Sequence, residues 1–328
     1  MAVNNSLAVN NEKRKFSTFL NDEKVQKFLV DSLGNEKAKQ DFVSNITSAV
    51  SANPSLRDCD FSTIVSSGLL ATSLNLPLSP ALGFAHLIPY KDRGNNRIVA
   101  TFVPGYRGYI QLAIRSGYYA DIDVFEVRQG EYLGRDMNTG KYRFKFIEDD
   151  DEREELPVVG YMAMFEHLNG FKKVLYWSKK KMLKYADTYV PAFSLAPKKG
   201  RRSYEDFING KVPENELWKY SSYWYKDFDA MAKKTLIRQL ISKWGIMSIE
   251  MQRAYDNDTK AMESESTFMG NNLAEEDFFG SAGNDEEKAS YTAEEIEQII
   301  QEQESPKKST AKKKAVVAEQ ENFFNETE

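Results

Sequence analysis

Between Leu82 and Tyr119 the chain reads LGFAHLIPYKDRGNNRIVATFVPGYRGYIQLAIRSGYY, two β-rich runs joined by a polar link and followed at once by a helical pattern. AHLIPY and RIVATFV flank Lys91-Asp92-Arg93-Gly94-Asn95-Asn96, whose Gly and Asn can take positive φ, so the spacing predicts a β-hairpin. Pro104-Gly105 breaks the second run. Tyr109, Leu112 and Ala113 then fall at i, i+3 and i+4 within Tyr106–Ser116, a short helix that Gly117 can end in the left-handed conformation. Lys91, Arg93 and Arg97 sit at the hairpin tip and Arg107 and Arg115 on the helix, so a cationic tip feeds a cationic helix.

The rest of the chain can be arranged around this unit. Residues 1–21 are polar and read as a flexible N-terminus. Asp22–Leu33, Glu36–Ser51 and Asp60–Leu74 read as helices, each with Asp or Glu near its start. Phe42, Ile46, Ala49 and Val50 share one face, which predicts a helical N-terminal layer packed on the remainder of the chain. Strands are expected at Ile122–Val127, Tyr142–Ile147, Val158–Phe165 and Phe171–Trp177, with hairpin signals at Asn138-Thr139-Gly140 and Leu168-Asn169-Gly170. Glu148–Glu155, EDDDEREE, reads as a solvated loop. Ser178 can cap the helix KKKMLKYADTY, whose first-turn lysines oppose the macrodipole and hint at an external anion.

Pro191–Trp218 reads as a long irregular segment with Lys198, Lys199, Arg201 and Arg202 clustered around Gly200, a mobile basic loop suited to phosphate. A helix is then expected from about Ser222 to Trp244. Trp224, Phe228, Met231 and Thr235 share its core face, Lys226 and Lys233 another face, and Lys234 and Arg238 an adjoining one. From about Tyr255 the composition turns acidic and polar and reads as largely disordered. The fold class is therefore α+β, with a core over residues 22–250 and an acidic tail over 251–328. In that tail Phe278-Phe279 and Phe323-Phe324 are either short partner-binding motifs or isolated apolar residues in a solubilising segment.

Charge narrows the function. The net charge of -5 hides an asymmetry: from Ile246 onward there are 20 Asp and Glu against 8 Lys and Arg, which leaves the preceding body net basic. Lys172–Lys243 alone holds 17 Lys and Arg against 7 Asp and Glu, a concentration that suits a polyanion. No run approaches the roughly 18 apolar residues of a membrane span, and the N-terminus lacks a signal-peptide core. One cysteine and two histidines exclude an internal disulfide and a zinc cluster, which fits a cytoplasmic location. GRDMNTGKY fails as a nucleotide loop: Gly134 and Gly140 enclose five residues instead of four, and Tyr142 stands where Ser or Thr should meet the metal. No nucleophile elbow is present, and covalent catalysis is not expected. Carboxylates converging from separate elements would still allow a metal-dependent nuclease.

LGFAHLIPY, FVPGYRGYIQLAIRSGYY and WYKDFDAMAKKTLIRQLISKW, in that order and spacing, resemble the RecT family of bacteriophage and prophage single-strand annealing proteins over about Asn53 to Tyr255. The resemblance implies a protein that binds single-stranded DNA without sequence preference and pairs it with its complement without ATP. It implies a homo-oligomeric ring or helical filament, and work beside a phage exonuclease and a host single-strand-binding protein. The implied architecture is similar to the wider annealing superfamily that includes lambda Redβ: a curved antiparallel sheet with a β-hairpin, backing helices and a basic groove. No cofactor is implied, and whether Mg²⁺ assists is left open.

Annealing has to neutralise two phosphate backbones while leaving base edges free. Phosphate roles are therefore expected of Lys91, Arg93, Arg97, Arg107, Arg115, Lys198, Lys199, Arg201, Arg202, Lys226, Lys233, Lys234 and Arg238. Tyr106 and Tyr109 either stack on bases or pack in the core. The acidic tail is expected to lie over the basic groove when DNA is absent. The alternatives are the nuclease, and a plain single-strand-binding or interaction protein.

Overall fold

The structure, a computed structural model, describes residues 15–92, 95–198 and 200–267. Helices α1 (Phe16–Leu20), α2 (Glu23–Leu33), α3 (Glu36–Ala52) and α4 (Phe61–Ser73) come first, with a 3-10 turn at Pro54–Asp58. Helices α2 to α4 start where the sequence supplies a side-chain acceptor. Asp22 accepts the Lys24 N–H at 3.1 Å, Asn35 the Ala38 N–H at 2.8 Å and Asp60 the Ser62 N–H at 3.2 Å. Phe28, Leu29, Phe42, Ile46, Ile64 and Val65 form one apolar cluster that also takes Leu87 and Ala100, so the expected helical layer packs on the hairpin. The segment read as a flexible N-terminus already joins this cluster through Phe16 and Leu20.

Strands β1 (Ala85–Asp92) and β2 (Arg97–Pro104) pair antiparallel from Ala85 opposite Pro104 to Asp92 opposite Arg97. Alternation turns Leu87 and Ala100 to the helical layer and puts His86, Ile88, Tyr90 and Val99 on the opposite face. Helix α5 (Tyr106–Ser116) follows and ends at Gly117, whose φ is 72°. Its start lies so close to the chain before β1 that a Cβ on Gly108 would collide with the backbone carbonyl of Phe84.

Next come β3 (Tyr119–Arg128), β4 (Tyr132–Arg135), β5 (Tyr142–Phe144), α6 (Asp150–Glu155), β6 (Val158–His167) and β7 (Lys172–Ser178). An antiparallel sheet of order β3-β6-β7 is separate from the hairpin β4-β5. Tyr132 of that hairpin stacks on Tyr176 of β7 at 4.3 Å. The acidic stretch expected as a loop is helix α6. Asp149 caps it by accepting the Glu152 N–H at 2.9 Å, and three acidic residues in its first turn complement the positive helix end. Its Arg153 meets the buried carboxylate of Glu131 at 2.6 Å.

The chain then forms α7 (Lys179–Tyr189), α8 (Tyr204–Ile208), a 3-10 turn at Glu214–Tyr220, α9 (Tyr223–Lys226), α10 (Phe228–Trp244) and α11 (Ile249–Thr267). Three expectations change here. The helix expected from Ser222 to Trp244 breaks at Asp227, whose carboxylate accepts the Ala230 N–H at 3.0 Å and restarts it as α10. The segment after Pro191 is tied down: the Tyr225 hydroxyl accepts the Ser194 N–H at 2.8 Å and the Tyr220 hydroxyl the Arg202 N–H at 2.6 Å. The stretch read as tail from about Tyr255 continues as helix, and Met251, Ala254, Asp258 and Ala261 of α11 are buried at helical spacing. The remaining tail, with both Phe-Phe pairs, lies outside the described residues.

Helix α10 is the central element. It packs on β3, β6 and β7 and also on α5, while α11 packs on α5 and β2. Tyr161, Ala163 and Phe165 of β6 share a cluster with Ala232, Leu236, Ile237 and Leu240 of α10. Among the described residues no helix is long and apolar enough to cross a membrane.

Candidate nucleic-acid interface

The hairpin lines a cleft of about 1860 Å³, shared with Thr63, Ser66 and Ser67 of α4, with α5, α9 and α10, and with Asn257, Lys260 and Met262 of α11. Ten Lys and Arg line it against five Asp and Glu, so its potential is positive. These cations arrive from separate elements: Lys91 and Arg97 from the hairpin, Arg107 from α5, Lys226 from α9, Lys233 from α10 and Lys260 from α11.

They fall into two kinds. Lys91, Arg107, Lys226 and Lys260 are exposed and have no carboxylate within ion-pair distance among the described residues. Arg97 lies 3.4 Å from both Asp60 and Asp92. Hydrogen bonds from Asn95, and then Arg97, hold the Asp92 carboxyl below its ordinary range. Lys233 pairs with Glu126 at 3.0 Å and has its ammonium 5.1 Å from the centre of the Tyr106 ring.

At the floor of the cleft, Lys234 and Arg238, expected to take phosphate, and Tyr109, expected either to stack on bases or to pack in the core, form a buried network with Asp258. Lys234 donates to Asp258 Oδ1 at 2.6 Å, Tyr109 donates to Asp258 Oδ2 at 2.9 Å, and Arg238 Nε lies 3.5 Å from the same oxygen. Arg238 also donates to Thr259 Oγ1 at 2.6 Å and has its guanidinium 4.3 Å from the Tyr255 ring. All four residues of the Asp258 cluster are buried because α10 is covered by α5 and α11 on the side where these cations point. Burial alone would lower the Arg238 pKa, but the Tyr109 and Asp258 oxygens raise it, while burial and the Asp258 charge push the Tyr109 hydroxyl well up. Two cations against one carboxylate leave a net positive charge below the cleft floor. His86 on the hairpin is held below its ordinary pKa by burial and then by Lys234, so its ring is neutral.

The remaining expected residues are dispersed. Arg115 lies off the cleft and donates to the carbonyls of Leu74 and Asn75 at 2.7 and 3.2 Å, capping the end of α4. Arg201 lines the cleft but donates to the Ala192 carbonyl at 2.9 Å. Lys198 and Arg202 are exposed outside the cleft, and Arg93 and Lys199 lie outside the described residues. Sequence reasoning missed His86, Lys219, Tyr223 and Lys260 as cleft residues. The spacing of Met251, Ala254, Asp258 and Ala261 would have extended the helix and exposed Lys260; the other three carry no local signal. Among the described residues no three His, Cys, Asp or Glu side chains converge as metal ligands.

A model of the RecT family matches residues 40–269 of the chain. The chain is 31% identical over 274 residues to the uncharacterized protein YqaK of Bacillus subtilis strain 168, covering 80% of this chain and 82% of that protein. It is 26% identical over 245 residues to Protein RecT of Escherichia coli strain K12, covering 74% of this chain and 80% of that one.

Proposed function

The chain belongs to the RecT family, and from that membership we propose that it is an ATP-independent single-strand annealing protein that holds DNA in the cleft between the hairpin and helices α9 and α10. The observation that carries this reading is the set of four exposed cations, Lys91, Arg107, Lys226 and Lys260, brought to one cleft from four elements without carboxylate partners among the described residues. Cations so placed neutralise a phosphate backbone wherever the strand's sequence begins, and they leave base edges unread. The buried Lys234-Arg238-Asp258 cluster adds a fixed positive charge below, so phosphate enters a favourable potential that side-chain motion does not dissipate.

Self-assembly into a ring or filament belongs to the same proposal. Leu133, Met137 and Phe146, near the β4-β5 hairpin, are 54, 91 and 61% exposed and offer apolar surface for a neighbouring subunit. The partners proposed are a phage exonuclease that supplies the single strand and a host single-strand-binding protein, in the bacterial cytoplasm.

The test is the pairing rate of two complementary labelled oligonucleotides, read by energy transfer without ATP, with a non-complementary pair as control. Acceleration confined to the complementary pair is expected. Binding without acceleration would reduce the protein to a single-strand binder, and cleavage of the strands on adding Mg²⁺ or Mn²⁺ would replace annealing by nuclease chemistry.

A further inference from the structure

Tyrosines reach the cleft from separate elements: Tyr90 on β1, Tyr106 on α5, Tyr189 at the end of α7 and Tyr223 at the start of α9. Tyr223 differs most from its surroundings. It is 45% exposed, while Trp224 and Tyr225 beside it are each 5% exposed and anchor the same helical turn in the core. Ser222 fixes where that turn starts by accepting the Trp224 N–H at 3.4 Å. A ring left this open next to two packed aromatic residues gives up apolar burial that a free partner can restore.

Cations accompany both Tyr223, which is open, and Tyr106, which is half-buried against the core. The Lys226 ammonium is 5.9 Å from the Tyr223 ring centre, and the Tyr106 ring centre has the Lys233 ammonium at 5.1 Å and the Arg107 guanidinium at 5.8 Å. The ring of His86 lies 6.3 Å from that of Tyr223, centre to centre. The cleft thus brings aromatic rings and positive charges side by side, the two kinds of group that meet the bases and phosphates of a single strand.

We propose that Tyr223, with Tyr106, stacks on the faces of nucleobases in the bound strand while Lys226 and Arg107 take its phosphates. This rests on the annealing reading and adds to it, since phosphate contact alone would hold a backbone without bases equally well. Stacking engages a base by its face and leaves its pairing edge open, which is the geometry annealing needs. It also selects single strands, because in a duplex each face is covered by its neighbour. When a complement pairs, base-on-base stacking competes with the tyrosine rings and favours release of the product.

The experiment compares binding of the full chain to two labelled oligomers of equal length, oligo-dT and an abasic deoxyribose-phosphate strand, at one fixed moderate salt. The wild type is expected to bind oligo-dT more tightly. Tyr223→Ala should weaken oligo-dT binding about tenfold and leave the abasic strand unchanged, whereas Tyr223→Phe should bind both strands as the wild type does. Equal wild-type affinity for the two strands, or an equal loss on both in Tyr223→Ala, overturns the stacking proposal and leaves annealing standing. Failure of the wild type to bind either strand overturns both. The wild-type comparison needs no variant, so it decides the matter even if Tyr223→Ala folds poorly.

Discussion

Asp258 is the residue on which the cleft floor depends. It is 1% exposed and answers two buried cations on α10 as well as the Tyr109 hydroxyl of α5. Asp258→Ala strands both charges in the core and should lower stability by about 3–5 kcal/mol, read as the urea midpoint of unfolding. A midpoint within error of the wild type would mean that Lys234 and Arg238 find water instead. His86 gives a pH signature. Burial, then Lys234, holds its imidazole below the ordinary 6.5, so the unfolded chain takes up a proton first as pH falls. The stability it contributes is therefore complete above about pH 6.5 and is lost as pH drops toward the folded value. A His86→Leu variant should lose stability less steeply than the wild type below that pH in melting curves; parallel curves would refute the assignment. Sequence spacing placed Lys234 and Arg238 on one helix stripe correctly, but a stripe does not say whether water or another helix covers it.

At the scale of elements, the hairpin and α5 are written locally. The polar link, Pro104-Gly105 and Gly117 each act within a few residues, and the observed strands and helix obey them. The fit of α5 against the chain before β1 is not local. Gly108 has ordinary helical placement, yet a side chain there meets the Phe84 carbonyl, which cannot yield as a flexible side chain would. Gly108→Ala should cost about 1–3 kcal/mol by overpacking, measured by thermal melting, and an unchanged melt would show that α5 can shift at no cost. The break between α9 and α10 shows the reverse case. Asp227 carried a capping signal that the continuous helical pattern around it concealed, and the cap prevailed. Helix α6 likewise formed from a stretch of acids because its charges fall at the favourable end and Arg153 has Glu131 to meet.

For the molecule as a whole, helix α11 runs on to Thr267, past the position near Tyr255 where the tail was expected to begin. A chain ending at residue 255 loses Asp258 and Ala261 from the core and should melt well below the full chain, whereas one ending at 267 should melt with it. If both melt alike, the part of α11 after Tyr255 contributes nothing to the fold. Only the chain ending at 267 tests whether the acidic tail covers the groove; tighter single-strand binding at low salt is expected from it, and unchanged affinity across a salt series would remove the idea. The cleft cations make a separate forecast. Lys226→Gln and Lys260→Gln should each make the slope of log K against log salt shallower by about 0.7, and an unaltered slope would place the strand elsewhere.

The sequence by itself determined the class α+β, the capped N-terminal helices, the hairpin and the family, because each is encoded in short-range spacing or in motifs that survive without coordinates. The tertiary structure alone decided which charges face solvent. Lys226, Lys234 and Arg238 all lie on one run of helical pattern, and the faces assigned to them by spacing did not say which face another helix would cover. Packing of α5 and α11 over α10 buried two of them around Asp258 and left the third open to the cleft, because the energy of a charge depends on what surrounds it in space and not on its neighbours along the chain.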